Sequence, residues 1–561
     1  MKNNNKDLLI EEYDSHFLYQ TKKNNLNVSF NRIAFIFFVF VIISLIFSTK
    51  AIFLGSLKKN TPNKTLAESE FRSSILDRNG NIVAKTIITN NVGINPKLVI
   101  DKKKLLLNLK LIFNKKNSIN FKKVEKKLNG KNFFYIKKKI GQDELDELNL
   151  LGDKSIIIEQ KISRLYPHEN LFSHIIGQID DGNNGISGIE KFYDYELKKK
   201  KQPIKLTVDT DLQYLIREEL IKSEELFDNI GSAALLMNLN DGEILSLISL
   251  PDFNLNKRQN IQDLKYTNKV TKGVYELGSV FKTFTLAAAF ENNLVEKNTI
   301  FKNLEHSIFC AGKKISEYDK LPKNLSAEQI LIRSSNIGSI RIAQKVGIEK
   351  YKDFLNSLGL FQKIDFDLEE IGTPLPFKWG KCKLATASFG HGVTTTPIQL
   401  AKAYAVLSNG GYKIKPTILF DNTNFYKENE KIISSKTSLE INSILRKVVS
   451  KKEGTANFAN IQGYEVGGKT GTALKSINGI YTNKKINTFI SIFPTSKPKY
   501  VLFVMLDEPK PAPDYVYEFP NGYKHKGEKR NTSGWNTVVV AGKIIKKIGP
   551  ILAINNLQAS K

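Results

Sequence analysis

The chain has 561 residues, which suggests several domains, and its hydrophobic (41%) and aromatic (10%) contents are sufficient for packed cores. This composition excludes an intrinsically disordered protein. The formal charge of +28 would suit a nucleic-acid partner, but the lysines are spread along the chain. Zinc-finger spacing, an RNP motif and a basic heptad segment are all missing from the sequence, so a nucleic-acid partner is not expected.

The histidines and cysteines do not form a metal-binding motif. The six histidines lack a ligand spacing such as H-E-x-x-H, and two cysteines alone cannot complete a metal site. We therefore expect neither a metal nor another cofactor. Cys310 and Cys382 could pair in an oxidising compartment, but the sequence does not show whether their Cα atoms lie close enough.

The first strong pattern along the chain is an apolar run. Residues 1–32 are polar and predict a cytoplasmic tail, whereas residues 33–54 are apolar apart from two serines, Thr49 and Lys50. A helix needs about 20 residues to span a bilayer, and this run is long enough, so we expect an uncleaved transmembrane signal anchor. A cleaved signal peptide is the alternative, although the polar leader is long for one. Lysines also follow the run, so the positive-inside rule barely discriminates its orientation.

Residues 70–200, after a linker at 55–70, predict an elongated non-catalytic domain. Asp77-Arg78-Asn79-Gly80 predicts a turn between two short extended pieces, and residues 95–160 are rich in lysine without recognisable chemistry. Glycines between 177 and 188 mark tight turns and not a phosphate loop, because no strand-then-helix pattern frames them.

Residues 203–552 predict one mixed domain, an antiparallel sheet flanked by helices, because strands stand at both ends with helices between them. Asn240-Asp241-Gly242 joins two apolar runs and predicts a hairpin. The predicted strands are 206–209, 232–239, 243–249, 469–475, 488–493 and 499–506, and the predicted helices are 211–225, two between 326 and 348, one from Thr396-Pro397 to Leu407, and 536–548.

Ser279 and Lys282 lie in a stretch that predicts a turn at Gly278 opening an apolar helix to about Phe290. Residues three apart share one helix face, so the hydroxyl and the amine would lie close together. A serine nucleophile needs this arrangement when its base is a lysine. The S-x-x-K pattern is weak by itself, since a capping serine followed by a solvated lysine gives the same letters.

Lys469 fits two patterns. Residues 463–470 satisfy the phosphate-loop pattern G-x-x-x-x-G-K-[ST]. Such a loop must leave a buried strand and enter a helix. Residues 455–462 are not an apolar strand, however, and Gly471-Thr472 favours an edge strand. We therefore consider a P-loop NTPase unfavoured and prefer K-T-G as the meaningful pattern.

Three weak motifs together form a strong signal: S-x-x-K at 279–282, S-x-N at 334–336 and K-T-G at 469–471. Their order and spacing are similar to those of the penicillin-interacting serine acyltransferases. The chain resembles a class B penicillin-binding protein, most closely the division-specific (septal) transpeptidase type, from the anchor to about residue 552. No glycosyltransferase-like segment precedes the transpeptidase part, as expected for class B.

The resemblance implies an α+β fold: a penicillin-binding transpeptidase domain, an N-terminal elongated, pedestal or dimerisation-like module, and one transmembrane helix. It also implies acyl transfer on the D-alanyl-D-alanine end of a peptidoglycan stem peptide. Ser279 would attack, Lys282 would be the base, and Ser334 would relay the proton. Burial and the nearby cation Lys469 would keep Lys282 neutral.

The resemblance implies substrate-binding roles for Asn336, Lys469, Thr470, Gly471 and Thr472. Asn336 would contact the substrate peptide, and Lys469 and Thr470 would hold its terminal carboxylate. Gly471, without a side chain, would let the strand approach the substrate backbone. The backbone N–H groups of the nucleophile and of Thr472 would stabilise the oxyanion.

The implied setting is the bacterial inner membrane at the division septum, with the catalytic domain in the periplasm. Implied partners are stem peptides, β-lactams as covalent inhibitors, a membrane-embedded glycosyltransferase and other divisome proteins. An elongation-type paralogue and a non-catalytic divisome scaffold remain as alternatives.

Overall fold

The computed structural model describes residues 34–52, 71–113, 119–199, 202–257, 263–420, 427–477 and 479–559. The predicted tail (1–32) and the linker (55–70) lie outside these ranges. Helix α1, Ala34–Ile52, has 19 residues and a mean hydropathy of 2.5. Within the described ranges it is the only helix long and apolar enough to cross a membrane.

The N-terminal part of the remaining chain alternates strands with short helices. Its elements are β1 (Ile75–Leu76), β2 (Ile82–Ile94), α2 (Lys102–Phe113), α3 (Phe121–Leu128), β3 (Phe134–Ile140), α4 (Gln142–Leu151), β4 (Ile156–Leu165), α5 (Ser173–Ile176), α6 (Gly188–Phe192), α7 (Asp194–Lys199) and β5 (Ile204–Lys205). Strand β2 pairs antiparallel with both β3 and β4, and β1 joins β2 to β5.

This part contributes to two separate hydrophobic cores. The end of β2 and helices α2 to α4 enclose a small core that includes Val92, Leu109 and Leu148. The residues around β1 and α5 to α7, such as Ile75 and Ile175, belong instead to the large core of the C-terminal part. The predicted turn at 77–80 is present, but β2, with 13 residues, is much longer than the short piece expected from the sequence.

The C-terminal part contains the larger sheet and most of the helices. Its elements are α8 (Thr210–Phe227), β6 (Gly231–Asn238), β7 (Ile244–Leu250), β8 (Tyr275–Glu276), α9 (Phe281–Glu291), β9 (Ile300–Phe301), β10 (Ser307–Cys310), β11 (Lys313–Ser316), β12 (Leu325–Ser326), α10 (Ala327–Ile332), α11 (Asn336–Val346), α12 (Ile348–Ser357), α13 (Lys381–Ala387), β13 (Thr394–Thr395), α14 (Pro397–Ser408), β14 (Tyr412–Ile414), β15 (Lys427–Lys431), α15 (Ser435–Ser450), β16 (Gly467–Ile477), β17 (Ile480–Phe493), β18 (Tyr500–Asp507), β19 (Val516–Glu518), β20 (Lys524–Lys526) and α16 (Thr537–Ala559).

Five strands form an antiparallel sheet in the order β16-β17-β18-β6-β7. Every residue of β7 and β18 is buried, so helices cover both faces of the sheet. One group, α8 and α16, packs against β6, β7, β17 and β18. A second group, α14 and α15, contacts β6, β16 and β18, and α9 packs against α15. The predicted fold class, an antiparallel sheet flanked by helices, is confirmed.

Three local predictions differ from the structure. Residues 206–209 do not form a strand: β5 ends at Lys205, and Asp209 instead caps α8 by accepting hydrogen bonds from the N–H groups of Asp211 and Leu212. The final helix continues to Ala559, past the predicted end at 548. Helices α12, α13 and α15 were not predicted.

Candidate active site

Ser279 stands in a tight turn at the start of α9. Residues Gly278–Val280 form one 3-10 turn, and the apolar helix follows without interruption. Gly278 has φ +63, and a Cβ there would lie 2.7 Å from the carbonyl oxygen of Thr472, so only glycine fits. This close approach places the serine beside β16. Lys282, the next site residue, is almost completely buried (2% exposed).

Ser334 lies in the turn between α10 and α11. Its φ of +59 is a left-handed conformation that a non-glycine residue rarely adopts. Helix α10 is fixed by a capping box between Ser326 and Gln329, and Ser335 caps α11 by accepting from the N–H of Gly338. The N–H groups of Ser334 and Ser335 donate to carbonyl oxygens of the last turn of α10, so Ser334 occupies a sharp corner between the two helices, and its hydroxyl contacts the lysines described next.

Lys282 and Lys469 meet at the Ser334 hydroxyl. Lys282 Nζ donates to Ser334 Oγ at 3.0 Å and also to the Ser334 carbonyl oxygen, and Lys469 Nζ donates to the same Oγ at 2.9 Å. Within the described residues, the Lys282 hydrogen bonds go to Ser334 and none goes to Ser279. The three motifs therefore converge on one hydroxyl group.

Both lysines have lowered pKa values. Burial lowers the pKa of Lys282 to about 7, and the Glu317 carboxylate partly opposes this effect. Burial and then the charge of Lys282 hold the pKa of Lys469 well below its usual range. The pKa of Lys282 is therefore lowered by burial, and the repulsion expected from the sequence lowers the pKa of Lys469 instead. An amine that titrates near neutrality can act as a base.

An open cavity of about 620 Å³ lies in front of these groups. Ser279, Lys282, Ser334 and Asn336 line it on one side, and alternate residues of β16, Thr470 and Thr472, line it on the other. Lys469 and Gly471 do not line it. Lys469 is fully buried and lies behind the wall, where its Nζ also donates to the Thr470 carbonyl oxygen at 3.1 Å.

Gly471 has a different structural reason from the one expected. A Cβ at this position would lie 2.2 Å from the Leu277 carbonyl oxygen and 2.4 Å from Thr488 Oγ1. The missing side chain therefore lets β16 pack against the nucleophile turn and strand β17, and it does not face the cavity.

The P-loop interpretation does not fit the structure. Lys469 lies inside strand β16, and the chain continues as strand to Ile477. A phosphate-binding lysine of that type precedes a helix whose N-terminus faces the phosphate.

Two features of the site were missed from the sequence. Glu317 follows β11 and contacts the S-S-N turn, 18 residues away from Ser335. Aromatic side chains also line the cavity: Phe389, Phe458, Phe519 and Trp535. Short motifs gave no signal for Glu317, since a lone Glu in Ser316-Glu317-Tyr318 has no signature. Phe389 and Trp535, by contrast, lie in segments 388–392 and 534–536 that also match the family pattern, but the sequence did not place them in the site.

Cys310 and Cys382 form a disulfide with a Cα–Cα distance of 5.7 Å. It connects the β10–β11 hairpin to α13 across 72 residues of sequence. The pairing left open by the sequence is therefore present, and it fastens the hairpin from which Glu317 emerges.

Comparison with known families agrees with this geometry. Residues 232–524 match the model described as "Penicillin binding protein transpeptidase domain", and residues 68–225 match "Penicillin-binding Protein dimerisation domain". The first match covers more than half of the chain. The chain belongs to the penicillin-binding protein transpeptidase family. The class B resemblance inferred from the sequence is thereby confirmed, with a dimerisation module before the transpeptidase domain.

Several named relatives are similar to this chain over most of their length. "Probable peptidoglycan D,D-transpeptidase FtsI" of Caulobacter vibrioides is 29% identical over 496 residues, covering 86% of this chain and 82% of that protein. "Stage V sporulation protein D" of Bacillus subtilis is 30% identical, covering 85% and 82%. "Probable peptidoglycan D,D-transpeptidase PenA" of Neisseria meningitidis is 27% identical, covering 65% and 67%. With α1, these similarities indicate an enzyme anchored in the inner membrane by one helix.

Proposed function

We propose that this penicillin-binding protein cross-links peptidoglycan stem peptides through a Ser279 acyl-enzyme, and that it acts at the division septum. The observation that supports the chemistry most is the meeting of Lys282, Ser334 and Lys469 through one hydroxyl beside Ser279. The division into a tail (1–32), an anchor (33–54), a non-catalytic module (70–200) and a catalytic domain (203–552) is part of the proposal.

In the first step, Ser279 Oγ attacks the carbonyl carbon of the penultimate D-alanine. The new O–C bond forms, and the C–N bond to the terminal D-alanine breaks. Lys282, neutral at the start, accepts the serine proton, and Ser334 passes a proton to the leaving nitrogen, so free D-alanine departs. In the second step, an amine of a neighbouring stem peptide attacks the ester. The amide C–N bond forms, the ester bond between the acyl carbon and Ser279 Oγ breaks, and a proton lost by the attacking amine returns to Ser279.

Binding of the substrate would use both walls of the cavity. One N–H of Asn336 Nδ2 is held by the Ser316 carbonyl oxygen at 2.9 Å, and the other is left for a substrate carbonyl. Thr470 and Thr472 would receive the terminal carboxylate, with Lys469 behind them supplying positive charge. The N–H groups of Ser279 and Thr472 would stabilise the oxyanion, which is typically worth about 3–4 kcal/mol.

Labelled penicillin tests this chemistry directly. The wild-type full chain in detergent should be labelled covalently, Ser279→Ala should not be labelled, and Ser357→Ala, which changes an exposed serine of α12, should be labelled as the wild type is. Absence of label on the folded wild type would overturn the proposed enzyme function.

The cellular role is tested separately. A tagged protein concentrated at midcell supports the septal role, and a lateral-wall distribution supports the elongation-type alternative. If Ser279→Ala still supports division, the chain acts as a scaffold there. Divisome partners, including a membrane-embedded glycosyltransferase, belong to the septal proposal and should co-purify with the full chain.

A further inference from the structure

Glu317 is a buried carboxylate behind the S-S-N turn. It follows β11 directly, is 8% exposed, and is held in place by a hairpin that the Cys310–Cys382 disulfide fastens to α13. A buried carboxylate persists only when it is paired or strongly hydrogen-bonded. Its partners therefore indicate what it does.

Within the part of the chain that the structure describes, all the side-chain hydrogen bonds of Glu317 go to the N-cap and the first two residues of α11. Oε1 accepts from Ser335 Oγ at 2.6 Å and from the N–H of Ile337 at 2.9 Å, and Oε2 accepts from the N–H of Asn336 at 2.7 Å. An anion at a helix N-terminus is favoured by the helix dipole, and charge-assisted hydrogen bonds are about twice as strong as neutral ones. The carboxylate therefore fixes the first turn of α11 from outside the helix.

The residue just before this turn is the strained one. Ser334 has φ +59, and such a conformation costs about 1–3 kcal/mol unless the surrounding structure enforces it. The contacts of Glu317 hold the residues immediately after Ser334, and those of Lys282 hold Ser334 itself. Without Glu317, the residues that follow Ser334 would lose these contacts, and the corner that directs the Ser334 hydroxyl at both lysines would be held only from the side of Lys282.

We propose that Glu317 is a positioning residue for acylation, which holds Ser334 and Asn336 in place through the N-terminus of α11 and faces Lys282 with its negative charge. This inference rests on the proposed transpeptidase function. Glu317 also lines the cavity, but the proposed role does not require it to contact the reacting atoms.

The charges around Lys282 give this role a measurable signature. Lys469 faces Lys282 from β16, and Glu317 faces it from the hairpin. Other charged or titratable groups line the same cavity: Glu276, Asp319, Lys320, Arg333, His391, Lys452, Glu453 and Arg530. Burial lowers the pKa of Lys282 and Glu317 raises it. Removing the carboxylate should therefore lower this pKa further, and neutral Lys282 should persist to lower pH.

Two substitutions separate charge from geometry. Glu317→Gln removes the charge and places an amide N–H group opposite at least one of the three donors, so at least one hydrogen bond is lost. The plateau rate of acylation by labelled penicillin should therefore fall by about tenfold. The lower limb of its pH profile should move to lower pH. Glu317→Asp keeps the charge but shortens the reach, so it should lower the plateau and leave the limb near that of the wild type. Glu305→Gln, at an exposed position before β10, is the control.

The outcomes distinguish this inference from the proposed function. A wild type that is not labelled refutes the proposed function itself. The electrostatic part is refuted if the wild type is labelled but the lower limb of the pH profile of Glu317→Gln does not move. Circular dichroism and the melting temperature must show that this variant is folded. An unchanged plateau in both Glu317 variants refutes the positioning role.

Discussion

The Ser334 hydroxyl accepts hydrogen bonds from two lysines, and this shared contact governs how the site titrates. Lys282 and Lys469 are both buried, and their Nζ atoms lie 3.0 and 2.9 Å from the same oxygen atom. Two ammonium groups so placed cannot both be charged without strong repulsion, so the titration belongs to the pair. A substrate carboxylate near Thr470 would restore charge to Lys469 and leave Lys282 as the neutral member.

The first prediction concerns the pH dependence of acylation. Because the pKa of Lys282 is lowered to about 7, the amine is mostly protonated below that pH and mostly neutral above it. The second-order rate constant for acylation by labelled penicillin should therefore rise with pH and level off above about 7. A rate constant that is independent of pH through neutrality would contradict the assignment of Lys282 as the base.

At the residue scale, the sequence contained the proposed reacting groups but gave no sign of the residues that support them. Ser279, Lys282, Ser334 and Lys469 belong to motifs of fixed spacing, so they could be named before the structure was known. Glu317 follows strand β11 and contacts the S-S-N turn across 18 residues of sequence, and no local sequence pattern predicts that contact. The burial of Lys469 behind the cavity wall also depends on the register of the strands in the sheet, and a short sequence motif gives no information about that register.

Strand β16 forms one wall of the site and packs against the turn at 278–280, which contains Ser279. Alternate residues face opposite sides of a strand, so Thr470 and Thr472 reach the cavity while Gly471 faces Leu277. The distance between nucleophile and wall is therefore set by the absence of a side chain at one position.

The second prediction tests this close approach. Gly471→Ala should lower the free energy of unfolding by about 1–3 kcal/mol, because the new Cβ collides with the Leu277 carbonyl and Thr488. Acylation should also slow, since β16 must move away from Ser279. Chemical denaturation and penicillin labelling measure the two effects. Gly141→Ala, where no atom lies within 4 Å, should cost less than about 1 kcal/mol. Equal losses in both variants would contradict the packing argument.

The elements that were predicted well have strong local signals. The β6–β7 hairpin carries Asn-Asp-Gly at its turn, and α14 starts at Thr396-Pro397 with a capping box to Gln399. Helix α15 was missed although Ile441, Leu445 and Val448 keep helical spacing and are buried. Its pattern was readable, whereas the 3-10 turn at Ser279 depends on contact with β16.

At the scale of the whole molecule, a buried ionic cluster ties the N-terminal part together. Glu190 at α6 accepts from Arg72 at 2.9 Å and from Arg164 of β4 at 2.7 Å, and all three side chains are at most 2% exposed. Arg72 also pairs with Asp194 of α7. Segments far apart in sequence thus depend on one carboxylate.

The third prediction concerns this cluster. Glu190→Ala leaves two buried guanidinium groups without their shared partner, which should cost about 3–5 kcal/mol of stability. The melting temperature of the full chain should fall clearly. Glu125→Ala, on the exposed side of α3, should leave it nearly unchanged. A small effect for Glu190→Ala would mean that water or rearrangement solvates the two arginines.

The disulfide has a topological consequence for the catalytic domain. Cys310 and Cys382 close residues 310–382 into a covalent ring, and that ring contains Glu317 and the whole S-S-N turn. Ser279, Lys282 and Lys469 lie outside it. A chain made in a reducing compartment would carry every proposed reacting group, but the segment proposed to orient them would lack the covalent link between its two ends. Export to an oxidising compartment would therefore complete the covalent framework of the proposed site.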